Sequence, residues 1–269
     1  MARFRYAYST SAYHGEDVAL SIERLASCGY EAIELGGEPD GYDAPRVKQL
    51  AAEAGIAVAS VCPRYTAERD LCNPDAAVRR TAVDYVRAAA DLAAETGAGL
   101  LVVCPSAGMK TARLAPPGEE WRWAIESIRE AGEYAATVGV DVALEPWNRY
   151  ETYFLNRVDQ AVELWHELGL KNGGVMGDTF HMNIEEASVP DAFRAAKGLL
   201  AHAHLADSNR AVPGRGHTDF RPILRALLDV DYHGYLAVEL FPPPGGGPDS
   251  YDADTKQALD HLKAVEREL

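Results

Sequence analysis

Short apolar runs alternate with longer amphipathic segments along almost the whole chain. Apolar runs of this length, bounded by turn residues, predict buried strands. We place these strands at residues 4–9, 31–35, 56–62, 99–104, 140–146, 174–179, 200–206 and 235–240. The longer segments repeat their apolar residues at helical spacing, as Val78, Ala82 and Tyr85 do. They predict helices at residues 17–29, 44–55, 74–97, 117–139, 157–170, 190–198, 221–228 and 252–269.

Residues at the segment ends support this division. Asn73 followed by Pro74 predicts a helix N-cap with proline at the first helical position. Glycines follow five of the predicted helices, at Gly29, Gly55, Gly97, Gly139 and Gly198. Eight strand–helix units predict a parallel sheet that closes into a (β/α)8 TIM barrel, as a single domain over residues 1–269. An open doubly wound sheet is the alternative, but the turn after its first strand, STSAYHGED, contains no GxGxxG.

Composition and charge narrow the class of protein. Hydrophobic residues make up 47% of the 269 positions, which is ordinary for a globular protein. The net charge of −15 and the lack of Lys/Arg runs oppose a nucleic-acid or anionic-membrane partner. We see no secretory leader and no apolar run long enough to span a bilayer, so we expect a cytoplasmic protein. The cysteines form no CxxC pair and are interpreted as free thiols of a reducing compartment: Cys28, Cys62, Cys72 and Cys104.

Polar residues collect at the ends of four consecutive predicted strands. Catalytic groups of TIM barrels lie at this end of the strands. Glu145, Asp178 and Glu239 end the fifth, sixth and eighth strands, and the seventh carries His202 and His204, whose alternation points both to one side. Three carboxylates and an imidazole suit an octahedral Mn²⁺, Mg²⁺ or Co²⁺, whereas without a cation the carboxylates would repel one another. One strand-end carboxylate is most often a helix cap or an ion-pair member, but four together favour a site.

Four segments carry a resemblance to a known family: LEPWNRYE, GDTFHMNIEE, AHAHLADSNRAVPGRGHTDF and VELF. The chain resembles the sugar phosphate isomerases/epimerases of the xylose-isomerase-like TIM-barrel superfamily. It is most similar to the ketose 3-epimerases, the D-tagatose and D-psicose 3-epimerase group. The resemblance implies a metal site, with Mn²⁺ as the expected ion and Mg²⁺ or Co²⁺ as alternatives, and it favours His204 over His202. Its implied ligands are Glu145, Asp178, His204 and Glu239.

The resemblance also implies a reaction. Glu145 and Glu239 would be the acid–base pair, and Glu151, His181 and Arg210 would contact the substrate. One glutamate would take the proton next to the carbonyl of a keto-sugar, and the other would return a proton to the opposite face of the enediolate. Relatives are commonly oligomers, so a homo-oligomer is expected.

Three positions depart from the epimerase pattern and leave the substrate open. Trp147 stands where a smaller residue is common, Gly177 stands where leucine is frequent, and Arg64 follows the third strand. We therefore assign Trp147 to the substrate pocket, where it would suit stacking on an aglycone. One alternative is a lyase, the catalytic subunit of a C-glycoside deglycosidase that acts on a 3-oxo-glycoside with a small β partner subunit. Another is a keto-inositol isomerase or dehydratase.

Two alternatives come from other classes of protein. A DNA-repair endonuclease on the same barrel would need additional histidine ligands and a basic face, which the charge of −15 opposes. A catalytically silent sugar-binding barrel predicts that Glu145→Gln and Glu239→Gln change no activity, whereas the epimerase predicts near-complete loss.

Overall fold

The strands of the computed structural model, which describes residues 4–13, 15–116, 118–241 and 247–269, close into one parallel barrel in chain order. β8 pairs with β1 in parallel, with Tyr235 opposite Arg5, so the sheet has no free edge. This confirms the (β/α)8 class and excludes the open doubly wound sheet. The strands are β1 (Arg5–Ser9), β2 (Ala32–Gly37), β3 (Ala57–Pro63), β4 (Leu100–Val103), β5 (Asp141–Leu144), β6 (Gly173–Asp178), β7 (Leu200–Leu205) and β8 (Tyr235–Val238).

Helices follow the strands at each of the eight predicted segments, although residue 117, the predicted start of the fourth, lies outside the described residues. The additional helix α6 follows β6 directly, where no helix was predicted. The helices are α1 (Val18–Cys28), α2 (Ala44–Ala54), α3 (Ala76–Thr96), α4 (Glu119–Thr137), α5 (Val158–Leu168), α6 (Thr179–Glu185), α7 (Val189–Ala195), α8 (Phe220–Asp229) and α9 (Pro248–Arg267).

The predicted start of α3 is wrong by two residues. Its N-cap is Asp75, whose carboxylate accepts a hydrogen bond from the N–H of Ala77 at 2.8 Å. Asn73 instead accepts from the N–H of Asp75 at 2.9 Å, which forms a turn that leads into the helix. Both residues can cap a helix, so the sequence pattern does not distinguish them. At the other end, Gly97 ends α3 in the left-handed region with a φ of 83°, as predicted.

Small side chains fill the inside of the barrel. One buried cluster combines alanines of four strands, Ala7, Ala32, Ala59 and Ala237. A second cluster joins Cys62, Val102, Ala143 and Met176 of β3, β4, β5 and β6. The Sγ of Cys62 lies 3.9 Å from Oε1 of Glu239, so the polar groups begin directly above this layer.

Within the described residues, none of the helices combines the length and apolar character that crossing a bilayer requires.

Candidate active site

The four predicted ligands meet at the C-terminal mouth of the barrel. Asp178 is the last residue of β6 and His204 lies in β7, while Glu145 and Glu239 directly follow β5 and β8. One ligand atom from each lies within 4.8 Å of the others, and all four residues are buried. Nδ1 of His204 is 3.1 Å from Glu239 Oε2 and 3.5 Å from Glu145 Oε1. Four successive strands therefore deliver three carboxylates and one imidazole to one point.

Glu34, the third residue of β2, organises both histidines of β7. Its Oε2 is 2.9 Å from Nε2 of His204 and 3.0 Å from Nε2 of His202, and it accepts from the hydroxyl of Ser60 at 2.7 Å. Burial would raise the pKa of Glu34, but His204 and His202 hold it well below its usual value. Because Nε2 of His204 is used by this contact, Nδ1 is the nitrogen that faces Glu145, Asp178 and Glu239.

The geometry distinguishes the two histidines more clearly than the sequence does. His204 approaches all three carboxylates of the cluster, whereas His202 contacts Glu34 and lies 3.4 Å from the Ser60 hydroxyl. Burial lowers the pKa of His202, which favours a neutral ring. Burial would also lower the pKa of His204, but Glu34 and Glu239 raise it well above the ordinary value. His202 therefore supports the site from behind.

The donor set fits a hard divalent cation. Among the described residues, neither Glu145 Oε1 nor His204 Nδ1 has a hydrogen-bond partner, although both atoms are buried. Leaving a buried polar atom unpaired is costly, so these two atoms are suited to a shared partner. Oxygen-rich sites with one imidazole favour Mn²⁺, Mg²⁺ or Co²⁺ over structural zinc. The carboxylate behind His204 is the support that metal-binding histidines usually have.

Arg210 spans two of the candidate ligands. Its guanidinium donates to Asp178 and Glu239, and it lies 5.1 Å from the rings of Phe180 and Phe241. Burial would raise the pKa of Asp178, but Arg210 and His181 lower it, so this carboxylate is ionised. Arg210 itself has a φ of 61°, a conformation that costs energy for a residue with a side chain. The backbone therefore holds this cation at the mouth at some cost to stability.

Two cysteines touch the candidate ligands. The thiol of Cys104 lies 3.4 Å from Oε2 of Glu145, and that of Cys62 lies 3.9 Å from Oε1 of Glu239. Burial, together with the neighbouring glutamate in each case, raises both thiol pKa values well above the usual one. Protonated thiols are poor nucleophiles, so both cysteines serve as hydrogen-bonding walls of the site.

His181 connects the four candidate ligands with the predicted substrate residues. Its Nδ1 accepts from the backbone N–H of Asn148 at 3.2 Å, which leaves Nε2 to carry the proton, 3.8 Å from Asp178. The side-chain amide of Asn148 also donates to Glu151 at 2.8 Å. Asn148 therefore fixes both predicted substrate residues. Its role was missed from the sequence, although it lies between Glu145 and Glu151.

The pocket over the candidate ligands, called the catalytic pocket because it holds the predicted catalytic residues, has a volume of about 300 Å³. Glu145 and Glu239 line it, and Trp147 forms part of its wall with its ring 6.2 Å from that of His181 at an angle of 30°. A Cβ at Gly108 would come within 3.2 Å of the indole, so the loop after β4 closes against this wall. The pocket is lined by all predicted substrate residues, namely Glu151, His181, Arg210 and Trp147.

The other two departures from the epimerase pattern fall in different places. A Cβ at Gly177 would meet Met182 at 2.6 Å and Phe193 at 2.7 Å, on the side of β6 that faces α7. Gly177 therefore permits helix packing and has no contact with the substrate pocket. Arg64, in contrast, lines this pocket.

A buried lysine, not predicted from the sequence, fixes the loop after β4. Nζ of Lys110 is 2.7 Å from Asp70, 2.9 Å from Glu120 and 3.2 Å from the thiol of Cys72. Its carbonyl accepts from the N–H of Tyr153 at 3.0 Å. These contacts connect the loops after β3, β4 and β5 around the pocket. An isolated lysine in a polar loop gives no sequence signal of burial.

Comparison with known proteins gives a family. The family model described as "Xylose isomerase-like TIM barrel" matches residues 22–265. A D-psicose 3-epimerase of Enterocloster bolteae is 37% identical over 142 residues. That alignment covers 47% of this chain and 47% of the relative, so this match spans about half of the relative's length.

Two solved structures align over nearly the whole chain. A D-psicose 3-epimerase of Clostridium cellulolyticum, with D-tagatose, superposes with a TM-score of 0.89 at 27% identity, covering 98% of this chain and 99% of the other. A 3-keto-D-glucoside 4-epimerase of Escherichia coli superposes with a TM-score of 0.86 at 26% identity, covering 97% and 100%.

Proposed function

The chain belongs to the xylose isomerase-like TIM-barrel family, and we propose that it is a divalent-metal-dependent epimerase of keto-sugars. Its substrate is a ketose or a related keto-sugar, inverted at the carbon next to the carbonyl. The names of the aligned epimerases support this reading. The observation that carries it is the convergence of Glu145 and Glu239, two buried carboxylates from separate strands, on His204.

Inversion needs proton transfer on both faces of one carbon. Burial would raise the pKa of Glu145, but His204 beside it lowers the value, so its carboxylate is ionised and able to accept a proton. Glu239 comes from β8, three strands further round the barrel. A ketose bound between them presents one face to each carboxylate, so one oxygen removes the C3 proton and the other returns one.

The remaining residues of the pocket bind and orient the sugar. Glu145, Asp178, His204 and Glu239 would hold the divalent cation, which when bound polarises the carbonyl as a Lewis acid and stabilises the charge left by proton removal. The protonated Nε2 of His181 and the guanidinium of Arg210 donate to sugar oxygens. Such fixed donors reduce the entropy that positioning the substrate would otherwise cost.

The direct test follows the C3 proton. We expect the Mn²⁺-loaded protein to convert D-tagatose or D-fructose into its C3 epimer in D₂O, with deuterium incorporated at C3 and detected by NMR. EDTA should stop the exchange and added Mn²⁺ should restore it. Absence of C3 exchange with every ketose and keto-glycoside offered would overturn the proposal.

The acid–base pair is tested by substitution. Glu145→Gln and Glu239→Gln should each lower kcat by about 10² to 10⁴-fold, since general acid–base catalysis contributes that much. Bound metal is measured in parallel, which separates loss of the proton carrier from loss of the ion. Glu163→Gln, at an exposed position of α5, is the matched control and should leave kcat unchanged. Activity that survives in both site variants would remove Glu145 and Glu239 from the proposed acid–base pair, whereas a wild type without activity would favour the silent sugar-binding barrel.

A second candidate keeps the proton abstraction but changes the substrate. The alignment with the 3-keto-D-glucoside 4-epimerase and the indole wall of Trp147 favour a 3-oxo-glycoside. With a leaving group next to the carbanion, the same first step would give elimination, as in a C-glycoside deglycosidase. Incubation with a 3-oxo-C-glucoside distinguishes the two outcomes, because release of the aglycone identifies a lyase and a 4-epimer identifies an epimerase.

A further inference from the structure

A second cavity adjoins the catalytic pocket on the same face of the barrel. It has a volume of about 430 Å³ and lies among the loops that follow β1 and β2. Ser11, Gly37 and Arg64 line both this cavity and the catalytic pocket. The two cavities therefore share part of their wall, so a ligand in one lies next to the other.

Two glycines keep the second cavity open. A Cβ at Gly37, where the two cavities meet, or at Gly41 would have no described atom within 4 Å. Gly37 also has a φ of 110°, which favours glycine. Side chains at these positions would project into free space and narrow the cavity. The chain thus leaves room beside its catalytic pocket for a group of ligand size.

Arg64 stands at the junction without an acidic partner. Its backbone N–H donates to the hydroxyl of Tyr85 at 3.0 Å, but within the described parts of the chain no carboxylate pairs with its guanidinium. The other arginines of this region are paired: Arg46 lies 3.1 Å from Asp17, and Arg24 and Arg69 bind Glu16 and Glu38. Arg64 therefore keeps its donors for a ligand.

The charges of the cavity indicate a neutral ligand. Its wall contains four carboxylates, of which Glu16, Asp17 and Glu38 are paired with arginines and Asp43 caps α2. Because Arg46 and Arg64 are the cations of the same wall, these carboxylates leave no excess of positive charge to hold an anion. Paired carboxylates still have lone pairs that accept hydrogen bonds from hydroxyl groups, and a guanidinium donates to hydroxyl or ether oxygens. A group rich in hydroxyls and without charge satisfies both.

We propose that the second cavity is a sugar subsite, and that the substrate is a keto-sugar linked to a second, neutral sugar unit. The keto ring lies in the catalytic pocket, the second ring lies between the loops after β1 and β2, and Arg64 donates to oxygens where the two rings join. This inference rests on the proposed function, because it extends the substrate of the same site. It concerns binding alone, so its test measures affinity.

Calorimetric titration of the Mn²⁺-loaded protein tests the subsite. The ligands are D-tagatose and two keto-disaccharides, lactulose and isomaltulose, which carry their second ring on different oxygens of fructose. We expect at least one disaccharide to bind ten times more tightly than D-tagatose or better. Gly41→Trp, which fills the second cavity, should abolish this advantage and leave the affinity for D-tagatose within twofold of the wild-type value.

Two further variants separate the cavity from general effects of substitution. Gly99→Trp adds the same side chain before β4, at the opposite end of the barrel, where a Cβ also has no described atom within 4 Å. It should leave all three affinities unchanged. Arg64→Ala should weaken the disaccharide more than D-tagatose.

The possible outcomes decide the two proposals separately. Equal affinities for D-tagatose and both disaccharides, or equal weakening of all ligands by Gly41→Trp, overturn the second subsite. Proton exchange at C3 of D-tagatose in that case leaves the epimerase intact. Tight disaccharide binding without C3 exchange in any keto-sugar has the opposite meaning: it supports the subsite and contradicts the epimerase.

Discussion

At the scale of single residues, Glu34 raises the pKa of the candidate metal ligand His204 and holds its ring in place from across the barrel. Its Oε2 lies 2.9 Å from Nε2 of that histidine. Glu34→Gln keeps a hydrogen-bonding side chain but removes the charge that orients the ring and raises its basicity. We expect affinity for Mn²⁺ to fall about 10- to 100-fold, as for other carboxylates behind metal-binding histidines.

Titration with Mn²⁺ at pH 8.5, where protons compete less for the imidazole, measures this loss. Glu38→Gln is the matched control, because Glu38 follows the same strand but pairs with Arg69 away from the cluster. Equal metal affinity in the Glu34 variant and the wild type would show that Glu34 does not support metal binding.

His204 should also make metal binding depend on pH. In the metal-free protein, burial would lower its pKa, but Glu34 and Glu239 raise it well above the ordinary value. A metal needs the neutral imidazole, so binding below the raised pKa displaces about one proton. Affinity should therefore rise with pH until that pKa is passed. Calorimetry at pH 7 in two buffers of different ionisation enthalpy gives the number of protons, and a value of zero would contradict this assignment.

The position of a residue along its strand decided what the sequence could predict about it. Glu145, Asp178 and Glu239 were placed together from the sequence because the C-terminal ends of barrel strands converge. Glu34 lies inside β2, three residues before its end, and its role depends on contacts with β7, 168 and 170 residues away. No local pattern carries that information. The same holds for Asn148, whose hydrogen bond to His181 crosses from the loop after β5 to α6.

At the scale of elements, Lys110 holds three loops at the rim of the pocket. Its side chain is 6% exposed and pairs with Asp70 and Glu120. Lys110→Met removes the cation and leaves two buried carboxylates without it. Removing one partner of a buried ion pair costs about 3–5 kcal/mol of unfolding free energy, and we expect a loss of this size in urea denaturation.

Lys256→Met provides the control for that experiment. Lys256 pairs with Asp260 one turn along α9, but the two side chains are 66% and 64% exposed. Exposed pairs of this spacing contribute about 0.3–0.5 kcal/mol. If both lysine variants lose similar stability, the buried cluster does not fix the loops as described.

Element boundaries show which local signals were sufficient. Glycines in the left-handed region ended α1, α2 and α3 where the sequence predicted. α6 was missed because its seven residues follow β6 without an intervening turn, and Asp178 itself caps it by accepting from the N–H of Phe180 at 2.8 Å. One carboxylate group thus serves as both candidate metal ligand and helix cap. From the sequence alone, a strand-end carboxylate has these two roles as alternatives.

At the scale of the whole molecule, metal binding should stabilise the barrel. The candidate ligands come from β5, β6, β7 and β8, so an ion that binds all four connects half of the strands. A ligand at one hundred times its Kd adds about 2.7 kcal/mol of stability. For a domain of roughly this size that corresponds to a rise in Tm of about 5–10 °C.

Differential scanning calorimetry with excess Mn²⁺ and with EDTA measures this shift. Asp178→Asn, which removes one ligand charge, should reduce it. The same Tm in both solutions would show that no ion connects these strands.

The closed barrel itself was predicted because eight strand–helix units can be counted along the chain. The second cavity was not, because it depends on the space that Gly37 and Gly41 leave in three dimensions.

The candidate metal ligands and the second cavity occupy opposite halves of the barrel. The ligands follow β5 to β8, whereas the cavity is formed by the loops after β1 and β2 with Arg64 after β3. Such a separation lets natural selection alter one half while the other stays constant. A mutant library restricted to residues 10–17 and 37–46 could therefore explore new sugars without disturbing the proposed acid–base pair. The fold thus offers a starting point from which new specificities can be evolved.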